Sequence, residues 1–147
     1  MTLSSPARAR LGIPVLLAFC IPLAGCGTTY PEDLRALQAD PMAGVELSDG
    51  ELVQEFTTDA SARTKLTAAT YTAEYRPDDG VTVQELFDEA VATAIDAGWD
   101  MDAPGETSVE GSKRLETGAA RISIASGVVD DEERLIIFLE HEFDHAG

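Results

Sequence analysis

Hydrophobic residues between Val83 and Ala97 recur every three or four positions, which is the spacing of one face of an α-helix. Thr82 and Glu85 form the Thr-x-x-Glu pattern of a capping box, which predicts that the helix begins directly after Thr82. Gly98 suits the left-handed position that follows a helix, and Trp99 stands where a hydrophobic residue folds back onto the last turn. We expect burial of the whole apolar stripe, which comprises Val83, Leu86, Phe87, Ala90, Val91, Ala94 and Ile95.

Alternation of apolar and polar positions predicts five strands, at about residues 52–57, 67–75, 107–116, 119–125 and 134–143. Thr117-Gly118 leaves two residues between the third and fourth of these strands, which predicts a tight hairpin. Gly127 to Glu133 predicts a longer acidic loop before the last strand.

A short helix is predicted before the first strand. Pro31-Glu32-Asp33 places proline in the first turn and acids near the positive end of the helix dipole, and Asp40-Pro41 ends the helix after about Ala39. Strands on both sides of a single well-formed helix indicate an α+β fold. We predict an antiparallel sheet of about five strands with one main helix packed on one face, preceded by the short N-terminal helix.

The first 26 residues have a different pattern. Arg8 and Arg10 precede a 13-residue uncharged stretch, Leu11 to Leu23, which is the layout of a secretory signal peptide. This stretch is shorter than the roughly 20 residues of a membrane-spanning helix. It ends in Leu23-Ala24-Gly25-Cys26, which resembles the lipobox of bacterial lipoproteins. The resemblance implies that the chain is cut before Cys26 and that the Cys26 sulfur receives a diacylglyceryl group.

The resemblance also implies a division of the chain and a location. Residues 1–25 are the signal peptide, 26–41 the lipidated N-terminus with its spacer and short helix, and 42–147 a single α+β domain. Two or more acyl chains hold a protein on a membrane essentially permanently. We therefore expect an exported protein, anchored to the cell membrane or envelope through the lipid on Cys26, with its domain outside the cytoplasm.

The charge of the chain limits the kinds of partner that it can bind, and its cysteine content limits the disulfides that it can form. Without residues 1–25 the chain keeps eight basic and all 27 acidic residues, a formal charge of −19. Such a body repels phosphate backbones and anionic headgroups, which excludes nucleic acid as a partner and leaves the lipid as the membrane attachment. The other cysteine, Cys20, lies inside the signal, so the mature domain cannot form an internal disulfide.

The sharpest chemical motif is His141-Glu142-Phe143-Asp144-His145, which matches H-E-x-x-H and is similar to the signature of zinc metallopeptidases. On a helix, histidines four apart share one face and bind zinc together. Residues 135–139 are an apolar run that predicts a strand, and a strand separates residues four apart by roughly 13 Å. Asp144 departs from the family pattern, and two residues remain for a third ligand. We expect no metal site and no cofactor.

Acidic residues raise two further hypotheses. Asp100, Asp102 and Gly105 match the start of an EF-hand calcium loop, but position twelve of that loop is Gly111 instead of glutamate. Residues 77–112 contain ten acids and neither lysine nor arginine. A face for a basic partner or peptide is one interpretation of this block, and solvated charge that keeps the domain soluble is the one we favour. For Asp100, Asp102 and the acids at 130–133, weak binding of a divalent cation is one interpretation, and a solvated charge cluster is the one we favour.

No nucleophile motif is present, because neither Ser112 nor Ser126 lies in a G-x-S-x-G elbow. We therefore predict a non-catalytic binding or interaction module. One alternative is a small zinc hydrolase that uses His141, Glu142 and His145. Another is an accessory subunit of an envelope complex, which an apolar patch on the second sheet face would favour.

The last predicted strand bears on this second alternative. In a strand Ile136 and Phe138 point opposite to their neighbours at 135, 137 and 139, so both faces of the strand carry apolar side chains. Either the second face meets a partner, or the N-terminal helix covers it.

Overall fold

The structure is a computed structural model that describes residues 29–61 and 67–142. Its helices are α1 (Pro31–Gln38) and α2 (Val83–Asp96). Its strands are β1 (Thr29–Tyr30), β2 (Gly50–Thr58), β3 (Ala60–Ser61), β4 (Thr70–Pro77), β5 (Asp100–Met101), β6 (Ser108–Leu115), β7 (Gly118–Val129) and β8 (Glu132–His141). The predicted signal peptide and lipobox lie outside the described residues, as does the H-E-x-x-H motif from Phe143 onward.

Six strands form one antiparallel sheet in the order β2-β4-β8-β7-β6-β5, and β1 pairs with β3 in a small second sheet. The predicted α+β class is confirmed, with α2 as the main helix and α1 as the short one before it. The sheet has one strand more than predicted. The additional strand, β5, is two residues long, which is too short for alternation to reveal it.

One face of the sheet carries the core. Its buried side chains include Tyr71, Ala73 and Tyr75 of β4, Ile122 and Ile124 of β7, and Leu135, Ile137 and Leu139 of β8. Both helices pack on this face, because Leu37 of α1 and Leu86 of α2 are fully buried in the same core. The hypothesis that the N-terminal helix covers the second face is therefore wrong.

The predicted ends of α2 are confirmed. The Thr82 hydroxyl accepts a hydrogen bond from the Glu85 amide at 3.2 Å, and the Glu85 carboxylate accepts one from the Thr82 amide at 2.8 Å. This hydrogen bond lowers the pKa of Glu85. At the other end Gly98 has a φ of 87°, and the Trp99 amide donates to the Ala94 carbonyl at 3.0 Å. The helix therefore closes in a Schellman motif.

The apolar stripe of α2 is narrower than predicted. The buried residues are Leu86, Phe87, Ala90 and Ala94. Val91 is half-buried, and Ile95 is 56% exposed. At 100° per residue, Ile95 lies about 125° from the centre of the four buried residues, so its side chain points away from the sheet. The expectation that Ile95 is buried is therefore wrong.

The prediction of a longer acidic loop at residues 127–133 is also wrong. β7 continues to Val129 and β8 begins at Glu132, which leaves a turn of two residues. Asp130 and Asp131 both have positive φ, 53° and 64°, as a type I′ hairpin turn requires. Aspartate tolerates this backbone better than most residues, so two acids can form the turn without glycine.

Leu86 and Ile95 provide a matched pair of predictions for the core. Leu86→Ala should lower the free energy of unfolding by roughly 2 to 4 kcal/mol, because it leaves a cavity against the sheet. Ile95→Ala should change it by less than about 0.5 kcal/mol, because the side chain is mostly in solvent. Urea denaturation of the two variants measures both values. Equal losses of unfolding free energy in the two variants would contradict an α2 that turns Leu86 toward the sheet and Ile95 toward solvent.

Candidate functional site

The H-E-x-x-H motif begins in a strand. β8 runs through His141, as predicted, and His145 lies outside the described residues. The His141 ring is 1% exposed, with Nδ1 2.9 Å from the Glu142 carbonyl oxygen and Nε2 2.7 Å from the Thr117 hydroxyl. A carbonyl can only accept, so in the neutral ring Nδ1 donates to it and Nε2 accepts from Thr117. Both nitrogens are thus engaged inside the fold.

The surroundings of His141 explain two other residues. A Cβ at Gly118 would lie 2.9 Å from the His141 Cε1 atom, so the first position of β7 needs glycine for the ring to fit. The buried Asp33 of α1 places Oδ1 3.7 Å from His141 Nε2, which brings α1 against β8. Within 29–61 and 67–142, no three His, Cys, Asp or Glu side chains are grouped so that they could hold a metal ion.

The segment that resembles an EF-hand is part of the sheet edge. Asp100 lies in β5 and pairs with Ser112 of β6. The Asp102 amide donates to the Glu110 carbonyl at 2.8 Å, which continues the contact with β6. An EF-hand loop turns its carboxylates toward one ion, whereas this segment runs along a neighbouring strand.

A buried polar cluster forms around Asp40, at the point where both helices end. The Asp40 carboxylate accepts hydrogen bonds from the Met42 amide at 2.9 Å, the Trp99 indole at 3.1 Å and the Lys113 amine at 2.6 Å. Lys113 also donates to the Ala97 carbonyl at 2.7 Å. The cluster therefore joins the end of α1, the end of α2 and β6. The sequence pattern predicts a buried Trp99 but gives no sign of these polar partners.

The sheet face opposite the helices, which we call the open face, carries an apolar patch. Phe56 of β2 pairs with Thr72 of β4, and Thr72 pairs with Phe138 of β8. Directly paired residues on neighbouring antiparallel strands point to the same face. Phe56 is 53% exposed, and Ile136 and Phe138 are partly exposed. Both faces of β8 carry apolar side chains, as predicted.

A hollow of about 320 Å³ adjoins this patch beside Phe138. Its charged lining consists of Glu110, Arg121 and Glu140. Arg121 is bound to Glu142 at 2.8 Å, so its charge is already balanced by a carboxylate outside the hollow lining. The two remaining carboxylates make the hollow acidic. The open face thus presents an apolar centre next to a negatively charged hollow.

β2 forms one edge of the sheet and is exposed over almost its whole length. Within the described chain it pairs on one side only, with β4. Leu52, Val53 and Phe56 are exposed on it, and the strand contains neither lysine nor proline. A long edge with unpaired backbone groups and apolar side chains is a template for pairing with another strand. The opposite edge, β5, is too short for this.

A β-bulge at Val53 determines which side chains β2 shows on each face. Leu52 pairs with Tyr75, on the core side, whereas Phe56 pairs with Thr72, on the open face. Sequence alternation places Leu52 and Phe56 on the same side of the strand. The bulge inserts one residue and reverses the faces that follow it. The sequence alternation therefore does not predict that Phe56 lies on the open face.

Comparisons of the chain with protein families, with curated proteins and with solved structures found no match. None of the helices in the described part of the chain is long and apolar enough to cross a membrane.

Proposed function

We propose that this protein is a lipid-anchored envelope protein that binds a protein partner through its open face and the adjoining edge of β2, without catalysing a reaction. The observation that supports the proposal best is the apolar patch of Phe56, Ile136 and Phe138 on a sheet face that neither helix covers. Contiguous apolar surface on a soluble domain marks interaction sites. An accessory subunit of an envelope complex fits this surface.

The resemblance to a lipobox indicates where the protein would act. Lipid on Cys26 would hold the domain at the membrane, because each buried methylene contributes about 0.8 kcal/mol. The described fold begins at Thr29, three residues after Cys26, so the tether is short. Its length is at most about 11 Å, from the reach of an extended chain. A partner of this domain would therefore lie close to the membrane surface.

The chemistry of the open face indicates what the partner presents. The apolar patch matches an aromatic or aliphatic side chain, and the acidic hollow beside Phe138 matches a lysine or arginine. The exposed edge of β2 can extend the sheet by one strand. An extended segment that combines apolar and basic residues fits all three features. The overall charge of the chain, −17, favours the same kind of partner.

Phe56→Asp tests this proposal, with Ile95→Asp as its control. Both side chains are about half exposed, but Ile95 lies on α2, in the layer on the other side of the sheet. Loss of a central interface aromatic weakens binding by about 2 kcal/mol, roughly thirtyfold. In gently solubilised native membranes, Phe56→Asp should shift the protein from a larger complex to its own mass on native electrophoresis. Ile95→Asp should leave the complex intact, and the reverse pattern would exclude the open face.

A further inference from the structure

A second hollow, of about 250 Å³, lies beside β2 on the helix side of the sheet, away from the hollow beside Phe138. We call it the edge hollow, and its lining comprises Gln38, Ala43, Glu55, Thr57 and Tyr71. The register of β2 gives its side. Glu55 pairs with Ala73, and Thr57 pairs with Tyr71. Both β4 residues are buried in the core, so Glu55 and Thr57 point to the helix side. β2 is the last strand of the six-stranded sheet, so no further strand of that sheet lies along the outer side of the hollow.

Glu55 is the charged residue of this lining, and Tyr71 holds one of its oxygens. The Tyr71 hydroxyl donates a hydrogen bond to Glu55 Oε1. Burial, together with this hydrogen bond, raises the pKa of Tyr71, so the hydroxyl keeps its proton at neutral pH and remains the donor. No residue of the described chain forms an ion pair with Glu55, which is exposed. The edge hollow therefore presents one carboxylate that is positioned but not neutralised.

The chain around the edge hollow is complementary to a basic segment. Residues 46–61, which include the whole of β2, contain five acids and neither lysine nor arginine. A strand that adds to the free edge of β2 alternates its side chains between the two faces of the sheet. A residue beside Thr57 on the helix side would reach the edge hollow, and its two neighbours would point to the open face beside Phe56. In complexes of this kind main-chain hydrogen bonds give affinity, and pockets for alternate side chains give specificity.

We infer that the protein partner adds a strand to β2 and places a lysine of this strand in the edge hollow, where its ammonium group pairs with Glu55. Lysine suits the hollow better than arginine, because arginine binds a carboxylate through both oxygens and Tyr71 already occupies Oε1. The residues on either side of the lysine are apolar, since they lie beside the exposed Phe56. The partner segment is thus an extended run of apolar residue, lysine and apolar residue. This inference rests on the proposed function, whose pairing at β2 it specifies.

The test measures the binding of a fluorescent peptide by anisotropy, with the full chain in non-ionic detergent. The probe is the pentapeptide Ser-Val-Lys-Val-Ser with blocked ends, and its control has glutamine in place of lysine. The lysine peptide should bind roughly tenfold more tightly than the glutamine peptide, because its ammonium forms a charge-assisted hydrogen bond. Glu55→Gln should remove this difference, whereas Glu51→Gln should keep it. Glu51 lies in the same strand but outside the hollow, where it pairs with Arg76, so the control changes the net charge equally.

Tyr71→Phe tests the preference for lysine. In the unsubstituted chain, a peptide with arginine in place of lysine should bind more weakly than the lysine peptide. Without the Tyr71 hydroxyl both oxygens of Glu55 are available, so the arginine peptide should gain affinity relative to the lysine peptide. Tighter binding of arginine than of lysine by the unsubstituted chain would contradict the role of Tyr71. Thermal melting of each variant checks that the fold is intact.

Other outcomes of the peptide experiment would overturn the inference. Equal binding of the lysine and glutamine peptides, or no saturable binding of the lysine peptide, would exclude a lysine in the hollow. A difference between the peptides that persists in Glu55→Gln would exclude the edge hollow as its site. A dimer of the purified chain that excludes the peptide would assign the free edge of β2 to a second copy.

The native complex distinguishes failure of this inference from failure of the proposed function. A complex that is lost in Phe56→Asp but fully kept in Glu55→Gln would refute the lysine in the edge hollow alone. A lysine-dependent peptide response, with a native complex that Phe56→Asp leaves intact, would refute the interface on the open face alone.

Discussion

Cys26→Ala is expected to transfer the protein completely from the membrane fraction to the soluble fraction and to abolish fatty-acid labelling. The lipid on Cys26 is the proposed anchor, and two or more acyl chains give essentially permanent attachment. If the chain is cut before Cys26, the remaining residues carry a formal charge of −19, which repels anionic headgroups and opposes a second attachment to the membrane.

Radiolabelled palmitate and fractionation of cells measure this effect. Cys20→Ala is the matched control, since Cys20 lies within the predicted signal peptide and is removed with it. This variant should keep both the label and the membrane location. The anchoring proposal is wrong if Cys26→Ala still incorporates label or stays in the membrane pellet after a high-salt wash.

Asp40→Ala should be among the most destabilising substitutions in the domain, with a loss of roughly 3 kcal/mol. The carboxylate is almost fully buried and accepts hydrogen bonds from Met42, Trp99 and Lys113. Its removal leaves the buried indole without its acceptor and the Lys113 amine without its counter-charge. Small domains have a total stability of roughly 5 to 15 kcal/mol, so this loss is a large share.

Urea denaturation compares Asp40→Ala with Glu51→Ala. Glu51 also forms an ion pair, with Arg76, but both side chains are about half exposed or more. Such surface pairs contribute about 0 to 1 kcal/mol, so Glu51→Ala should have little effect. A loss below about 1 kcal/mol for Asp40→Ala would show that the cluster does not hold the helix ends and β6 together.

The sequence predicts those parts of the fold whose signals are local. The capping box at Thr82 and the Gly98-Trp99 end of α2 depend on residues within five positions of each other, and both form as expected. The tight β6–β7 hairpin is predicted for the same reason, but its two turn residues are Glu116 and Thr117, one position before the predicted Thr117-Gly118, and Gly118 is the first residue of β7. These features require no knowledge of the tertiary structure.

The candidate sites depend on contacts between distant residues and could not be predicted in this way. Asp40 meets Trp99 across 59 positions and Lys113 across 73. The surface position of Phe56 depends on a one-residue bulge at Val53, which alternation does not reveal. The packing of α1 on the same sheet face as α2 is also not predictable locally, because no local pattern decides between the two faces.

Site-specific photo-crosslinking in intact cells tests the proposed interface most directly. A photoreactive phenylalanine analogue is placed at position 56, on the open face, or at position 95, on the outer side of α2. A partner bound to the open face should give one discrete crosslinked product from position 56 and none from position 95. Equal products from both positions, or a product from position 95 alone, would contradict an interface on the open face.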